Sequence, residues 1–242
     1  MRAKRGWISN MFWWWTNSCF VCFETDVQQA YVSMGTLMSL IVKICGITNK
    51  DDALAAAAAG ADALGFVFYD RSPRHVALET AAGIVRQLPS FVVKVGVFLD
   101  APEDLVYRAI ADCGLTLLQF HGDETPEYCA QFGLMHMKAF RVRNAASLEA
   151  LTKYPSDAWL LDAWTADKPG GSGQKFNWDL AVAANNLGRP IFLAGGLTPE
   201  NVAEAIQKVR PYGVDVSSGV EAAPGRKDHT KVRAFIKAAK GA

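Results

Sequence analysis

The sequence predicts a single (β/α)₈ TIM barrel of the α/β class over residues 41–242, preceded by a 40-residue N-terminal extension of unclear structure. From Ile41 onward, short β-branched or apolar runs alternate with segments of helical period, eight times each. Strands that alternate with helices pair in parallel, because each helix provides the crossover that parallel neighbours need. Eight such units in about 200 residues match the compact end of this barrel class.

The predicted elements follow one another without a long gap. The strand-like runs cover 41–45, 62–68, 91–98, 116–120, 135–142, 158–163, 190–195 and 213–217. The helical segments lie near 49–59, 77–88, 102–113, 125–132, 145–153, 177–185, 199–209 and 227–240. Capping residues mark three helix starts, at Asn49, at Thr125 before Pro126 and at Thr198 before Pro199. A doubly wound open sheet is the alternative, but it favours a glycine-rich turn after the first strand, which CGITN is not.

Composition limits the partners of the barrel. Only three of the 25 basic and two of the 24 acidic residues precede Ile41, so residues 41–242 carry equal numbers of each. A neutral domain argues against nucleic acid or an anionic membrane as a partner and favours a small-molecule substrate. The five cysteines are few and odd in number, which indicates reduced thiols in a cytoplasmic protein. Cys19 and Cys22 form a CxxC without a second half, so we expect no metal there.

The first 40 residues differ from the rest, with four of the seven tryptophans and no clear period. Their basic start and apolar middle resemble a signal peptide, but no small-residue cleavage site follows. Three interpretations stay open: an upstream stretch included by a wrong start codon, a disordered or loosely docked extension, or a targeting signal. Met34 and Met38 stand where a natural start could lie. We therefore expect residues 1–40 to be disordered or not native, and residues 41–242 to carry the function.

Polar side chains follow the predicted strands, where a barrel concentrates its chemistry. Cys45 ends the first strand, Arg74 lies in the loop after the second, and His121 follows the fourth. Arg141 lies near the end of the fifth strand, and Asp162 ends the sixth. Because the carboxyl ends of parallel strands meet at one end of a barrel, these residues are predicted to share a pocket.

Two adjacent loops have the composition of a phosphate site. Gly195 and Gly196 close the seventh strand, and Ser217, Ser218 and Gly219 close the eighth. Glycine lets the backbone approach an anion, and the N–H groups of a following helix start can then bind it. Loops after strands seven and eight commonly form the phosphate site of this barrel class. GGSGQKF (170–176) is a third glycine-rich run, either a flexible connection or a loop that closes over the ligand.

Cys45 and Asp162 are the candidate base and acid. Free cysteines are usually buried and inert, but one at a strand end that faces a phosphate site is a candidate for catalysis. A thiol and a carboxyl group across one pocket suit two proton transfers. They do not suit hydride transfer or metal-assisted hydrolysis, since the sequence has no nucleotide fingerprint and no ligand cluster. We therefore expect proton-transfer chemistry that needs no cofactor and no metal.

The motifs together resemble the phosphoribosylanthranilate isomerase family of tryptophan biosynthesis. They are KICGITN (43–49), GADALGFVFY (60–69), SPRHV (72–76), QFHGDE (119–124), LLDA (160–163), GGSGQKFNW (170–178), LAGGLTPENV (193–202) and DVSSGVEAAPGRKD (215–228). The resemblance implies the Amadori rearrangement of N-(5-phospho-β-D-ribosyl)anthranilate to 1-(2-carboxyphenylamino)-1-deoxy-D-ribulose 5-phosphate. It implies that Asp162 is the general acid, Cys45 the general base, and Arg74 the contact of the anthranilate carboxylate. His121 and the two phosphate loops are expected to bind the substrate.

One departure and two alternatives remain at this point. Phe120 stands where the family more often has leucine, at a position expected to point away from the ligand. The histidine-pathway isomerase performs the same rearrangement on a similar barrel, but its pattern has an aspartate where this chain has Cys45. A catalytically silent barrel that binds phosphate or serves as a scaffold is the other alternative. The sequence leaves open whether the chain is a monomer or a homodimer.

Overall fold

A computed structural model gives the structure of residues 39–163 and 178–242. Eight parallel strands pair in chain order, and the eighth pairs with the first, which closes a barrel. The strands are β1 (Ile41–Cys45), β2 (Ala63–Val67), β3 (Val93–Phe98), β4 (Leu117–Phe120), β5 (His136–Val142), β6 (Ala158–Ala163), β7 (Ile191–Leu193) and β8 (Gly213–Val216). The predicted (β/α)₈ fold is confirmed.

Helices follow the strands on the outside of the barrel. They are α1 (Lys50–Ala58), α2 (Leu78–Val85), α3 (Glu103–Cys113), α4 (Pro126–Ala130), α5 (Trp178–Ala184), α6 (Val202–Val209) and α7 (His229–Lys240). The connection between β5 and β6 is a 3₁₀ helix, Ala145–Lys153, instead of an α-helix. After β8 come a short 3₁₀ helix (Ser218–Val220) and an antiparallel pair, β9 (Glu221–Ala223) and β10 (Arg226–Lys227).

Two of the three predicted helix starts are confirmed by their hydrogen bonds. Asn49 accepts a 2.9 Å bond from the backbone N–H of Asp52, and Thr125 accepts one from Tyr128. At the third, the Thr198 side chain accepts a 3.3 Å bond from the N–H of Glu200 and its carbonyl accepts a 3.1 Å bond from Val202, as in a helix cap, but the regular helix α6 begins only at Val202. The side chain of Asn201 accepts a 2.8 Å bond from the N–H of Thr198, which holds residues 198–201 in a turn before the helix.

Alternation along each strand separates two layers of the core. On β1, Val42 and Ile44 pack between the sheet and the helices, in the larger hydrophobic cluster. Cys45 faces the barrel interior, where it packs with side chains of β2 and β3. A second interior cluster is formed by β5, β6 and β7. These side chains fill the barrel interior below the carboxyl ends of the strands.

Two expectations fall on residues that this structure does not describe. Residues 1–38 of the N-terminal extension, with its CxxC, lie outside the described residues, and the GGSGQKF run lies within residues 164–177. Both stay predictions. Within residues 39–163 and 178–242, no helix combines the length and the apolar character needed to cross a bilayer.

Candidate active site

A cavity of about 250 Å³ lies at the carboxyl ends of the barrel strands. It is lined by every residue that the sequence predicted for the site: Cys45, Arg74, His121, Asp162, Gly195, Gly196, Ser217, Ser218 and Gly219. Arg141, the remaining polar residue noted at a strand end, lines it as well. The fold therefore brings together residues that are separated by up to 174 positions in the chain.

Cys45 lies deeper than its position at a strand end suggested. Its side chain belongs to the barrel interior, and the residue is only 8% exposed. Burial raises the pKa of the thiol above its ordinary value, because the thiolate loses solvation. The positive charges of Lys43 and Lys227 oppose this shift, and the carboxylate of Asp215 adds to it. The thiol therefore sits among fixed charges of both signs.

Asp162 faces His121 across the cavity. The His121 Nε2 atom lies 3.4 Å from Oδ2 of Asp162, and both side chains are largely buried. On the other side of the ring, Nδ1 lies 3.0 Å from Nε2 of Gln119. With the Gln119 amide as donor, Nδ1 accepts, and the proton of a neutral ring sits on Nε2, facing the carboxylate. This arrangement orients His121 toward Asp162.

Arg74 is held by Glu221, the first residue of β9. The Nε and Nη2 groups of Arg74 donate hydrogen bonds of 2.8 Å to the two carboxylate oxygens. Lys227 adds a third bond of 2.9 Å to Oε1 of Glu221. Burial acts to raise the pKa of the Glu221 carboxyl, but the bonds from Arg74 and the charge of Lys227 outweigh it and hold this pKa below its ordinary value. The Nε–Nη2 edge of the Arg74 guanidinium is therefore occupied by the Glu221 carboxylate.

The two predicted phosphate loops stand side by side. Gly195 and Gly196 have φ values of +83° and +70°, a region that side chains other than glycine rarely adopt. Gly219 packs so closely against the loop after β7 that a Cβ would overlap the carbonyl oxygen of Leu197. The predicted helix start beside the glycines is displaced, since α6 begins at Val202. The short 3₁₀ helix Ser218–Val220 provides a turn of backbone beside the cavity instead.

Sequence reasoning missed the charged and amide groups behind the cavity. Lys43, Gln119, Asp215, Glu221 and Lys227 are each at most 9% exposed. For Lys43, Gln119 and Asp215, the one detectable signal is a polar residue inside an apolar barrel strand, at the alternate position that faces the barrel interior. Glu221 and Lys227 lie on β9 and β10, outside the barrel strands, and have no such signal. Within the described ranges, no three His, Cys, Asp or Glu side chains are arranged to hold a metal ion.

Comparison with known proteins agrees with the geometry. The family model for N-(5'-phosphoribosyl)anthranilate (PRA) isomerase matches residues 42–238. The chain belongs to the phosphoribosylanthranilate isomerase family. It is therefore an isomerase of tryptophan biosynthesis, and the alternatives of a histidine-pathway enzyme or a silent barrel are not supported.

Individual members of the family resemble the chain over almost their whole length. The isomerase of Geobacter sp. (strain M21) is 57% identical over 199 residues, which are 82% of this chain and 97% of that protein. The isomerase of Trichlorobacter lovleyi is 56% identical over 201 residues, or 83% of this chain and 98% of its own.

Solved structures of the family share the barrel. A phosphoribosylanthranilate isomerase from Thermotoga maritima has a TM-score of 0.80 and 43% identity, and the alignment covers 84% of this chain and all of that one. A second structure, of the isomerase in complex with reduced 1-(o-carboxyphenylamino)-1-deoxyribulose 5-phosphate, has a TM-score of 0.76 and 41% identity over the same shares.

Proposed function

We propose that the cavity catalyses the Amadori rearrangement of phosphoribosylanthranilate, with Asp162 as general acid and Cys45 as general base. One observation carries the assignment. The only two strand-end residues singled out as acid and base, on β1 and β6, line one cavity together with the two glycine- and serine-rich loops. A substrate whose phosphate lies in those loops would place its sugar carbons between the thiol and the carboxyl group.

The first step opens the ribose ring. Asp162, protonated, donates its proton to the furanose ring oxygen while the C1–O bond breaks. The lone pair of the anthranilate nitrogen forms a C1=N bond, which gives a protonated Schiff base. His121 faces Asp162 at 3.4 Å and orients the carboxyl group for this transfer. The step leaves Asp162 as a carboxylate.

The second step moves a proton from C2. The thiolate of Cys45 takes this proton, an S–H bond forms, and the C2–H electrons become a C1=C2 bond. The nitrogen recovers its lone pair, which gives an enolamine. Protonation of C1 and loss of the proton on the C2 hydroxyl then produce the ketone. C1 is reduced while C2 is oxidised, so the rearrangement needs no external oxidant or reductant.

The remaining site residues bind the substrate. Backbone N–H groups near Gly195, Gly196, Ser218 and Gly219, with the hydroxyls of Ser217 and Ser218, suit a phosphate. Arg74 is proposed to contact the anthranilate carboxylate. Because Glu221 occupies its Nε–Nη2 edge, that contact must use the hydrogens of Nη1 and the outer hydrogen of Nη2.

Location and assembly are proposed at a coarser level. Free thiols at Cys45, Cys113 and Cys129 suit a reducing cytoplasm. The chain is proposed to act as a monomer or a homodimer, and one Thermotoga maritima relative is described as dimeric, with generated monomers. Light scattering of the purified protein decides between the two states.

The acid and base roles are tested by Cys45→Ser and Asp162→Asn. Each variant keeps the shape of the side chain and removes the proton-transfer chemistry, so kcat should fall by at least about 100-fold. Turnover is followed by the loss of substrate fluorescence in a buffer that contains a chelator, and wild-type activity should be retained there.

Cys113→Ser is the matched control. Cys113 is 2% exposed and contacts the carbonyl of Leu78 behind the barrel, outside the cavity. Its replacement by serine should leave kcat unchanged. Turnover of Cys45→Ser close to that of Cys113→Ser would remove Cys45 from the base role.

A further inference from the structure

Cys45 shares its strand and its face with a buried lysine. Residues 43 and 45 alternate with Val42 and Ile44, so Lys43 and Cys45 both face the barrel interior. Lys43 is completely buried. An ammonium group out of contact with water is costly unless it is paired and hydrogen-bonded. The groups that pair with the Lys43 ammonium therefore indicate its role.

The first partner of Lys43 is Asp215 on the neighbouring strand. In the parallel pair of β1 and β8, Lys43 lies directly opposite Asp215. The Lys43 Nζ atom donates a hydrogen bond of 2.9 Å to Oδ1 of Asp215. Burial acts to lower the pKa of Lys43, but Asp215 and Cys45 outweigh it and raise this pKa. Lys43 is therefore charged, and it keeps two further N–H groups for other acceptors.

The second partner is the thiol, and Gly65 makes the contact possible. Gly65 lies opposite Cys45 in the pair of β1 and β2. A Cβ at this glycine would come within 2.8 Å of the Cys45 Sγ atom and within 3.1 Å of the Lys43 Nζ atom. Both atoms thus border the space that a side chain at position 65 would fill, within about 6 Å of each other.

We propose that Lys43 is a positioning residue that stabilises the thiolate of Cys45 by a charge-assisted hydrogen bond, and that Asp215 fixes the ammonium in place. The inference rests on the proposed role of Cys45 as base and adds two residues to it. Lys43 stays protonated throughout and exchanges no proton with the substrate. A buried ion pair alone gives little stability, whereas an ammonium beside a nucleophilic or basic thiol favours the ionised form that the reaction needs.

The other charges around Cys45 do not replace Lys43. Lys227 on β10 and Arg74 also face the thiol, but both are bonded to Glu221. Asp162 and His121 line the opposite part of the cavity and face each other. Among the charges nearest the sulfur, Lys43 lowers the pKa of the thiol and Asp215 raises it. Removal of the Lys43 charge must therefore raise the pKa of Cys45, and removal of the Asp215 charge must lower it.

The test is the pH dependence of iodoacetamide alkylation at Cys45 in the full chain, followed by mass spectrometry of the peptide that contains it. In Lys43→Met, the midpoint of alkylation should rise by about one pH unit or more. This is the usual effect on a pKa when an opposite charge close to the ionised group is lost. In Asp215→Asn, the amide oxygen can still accept the bond from Lys43 while the negative charge near the sulfur is lost, so the midpoint should fall. The acidic limb of kcat/KM should move in the same direction as the alkylation midpoint in each variant.

Lys94→Met is the matched control. Lys94 is also a buried barrel lysine, but its Nζ atom donates to the carbonyls of Pro89 and Ser90, ahead of β3 at the other end of the barrel. Its alkylation midpoint should match the wild type. An unchanged midpoint in folded Lys43→Met would overturn the proposal, with folding judged by circular dichroism.

If Lys43→Met does not fold, Asp215→Asn decides, and an unchanged or higher midpoint in that variant contradicts the proposal. The role of Cys45 is judged separately, from the turnover of Cys45→Ser. If Cys45→Ser loses turnover but the alkylation midpoints of Lys43→Met and Asp215→Asn do not shift, Cys45 keeps its role as base and only the role of Lys43 is rejected.

Discussion

The guanidinium of Arg74 is bound edge-on by Glu221, through two hydrogen bonds of 2.8 Å. The two residues are 147 positions apart and come from the loop after β2 and from β9. The arginine that is proposed to bind the substrate carboxylate is thus held rigidly by a carboxylate of the protein. This support reduces the freedom that Arg74 would otherwise lose on binding.

Arg74→Ala should therefore raise KM by at least about tenfold and change kcat less. A contact far from the reacting carbons stabilises substrate and transition state nearly alike. Glu221→Gln should raise KM by a smaller factor, because Arg74 stays present but loses one charged partner. Steady-state kinetics of both variants check this, with the exposed Arg108→Ala as control. A normal KM with a collapsed kcat would assign Arg74 to the chemical step.

Gly219→Ala should weaken binding through the phosphate. The new Cβ would overlap the carbonyl oxygen of Leu197, so the loops after β7 and β8 must move apart. We expect KM and the inhibition constant of inorganic phosphate to rise by about tenfold or more, equivalent to about 1.4 kcal/mol. Gly83→Ala in α2 is the control, since its nearest neighbour would be 3.9 Å away. Unchanged phosphate inhibition in Gly219→Ala would place the phosphate elsewhere.

Asp52 should make the protein sensitive to acid. It is 6% exposed, and it accepts bonds from the Lys227 backbone, His229 and Asn49. Burial acts to raise the pKa of its carboxyl, but these bonds outweigh it, and the pKa is lowered. A lowered pKa in the folded state gives stability that is present above the unfolded value of about 3.9 and is lost as pH falls through the folded value.

Asp52→Asn should therefore lower the free energy of unfolding by about 1–2 kcal/mol at pH 7, and by less at pH 3. Urea unfolding at the two pH values measures the difference. Asp104→Asn is the control, because its ion pair with Arg108 is exposed and should contribute less than about 1 kcal/mol. An equal loss for Asp52→Asn at both pH values would show that its charge is not the cause.

A chain that begins at Met38 should fold and keep full activity. β1 begins at Ile41, and among the residues that the structure describes, those that line the cavity lie at or beyond Cys45. Circular dichroism, thermal unfolding and kcat/KM of the shortened and full chains provide the comparison. Loss of solubility or of activity on shortening would show that the first 37 residues support the barrel.

Local sequence patterns were sufficient for the architecture. The run IVKIC (41–45) and the helix start at Asn49 occur where they were predicted, since strand alternation and capping depend on residues close in the chain. The regular part of α6 begins later than expected, because the N–H of Thr198 donates to the Asn201 side chain and holds residues 198–201 in a turn. The sequence also did not show that residues Ala145–Lys153 form a 3₁₀ helix instead of an α-helix, because both helix types have similar local patterns.

The sequence by itself determined the fold class, the family and the placement of the predicted site residues in one cavity, because strand order in a parallel barrel places all carboxyl ends together. Only the tertiary structure decided how those residues are charged and held. Lys43 meets Asp215 through strand register, and Arg74 meets Glu221 across 147 residues. These pairings depend on distances between distant segments, and burial then sets their electrostatics. The pKa of Cys45 follows from such contacts and from no pattern along the chain.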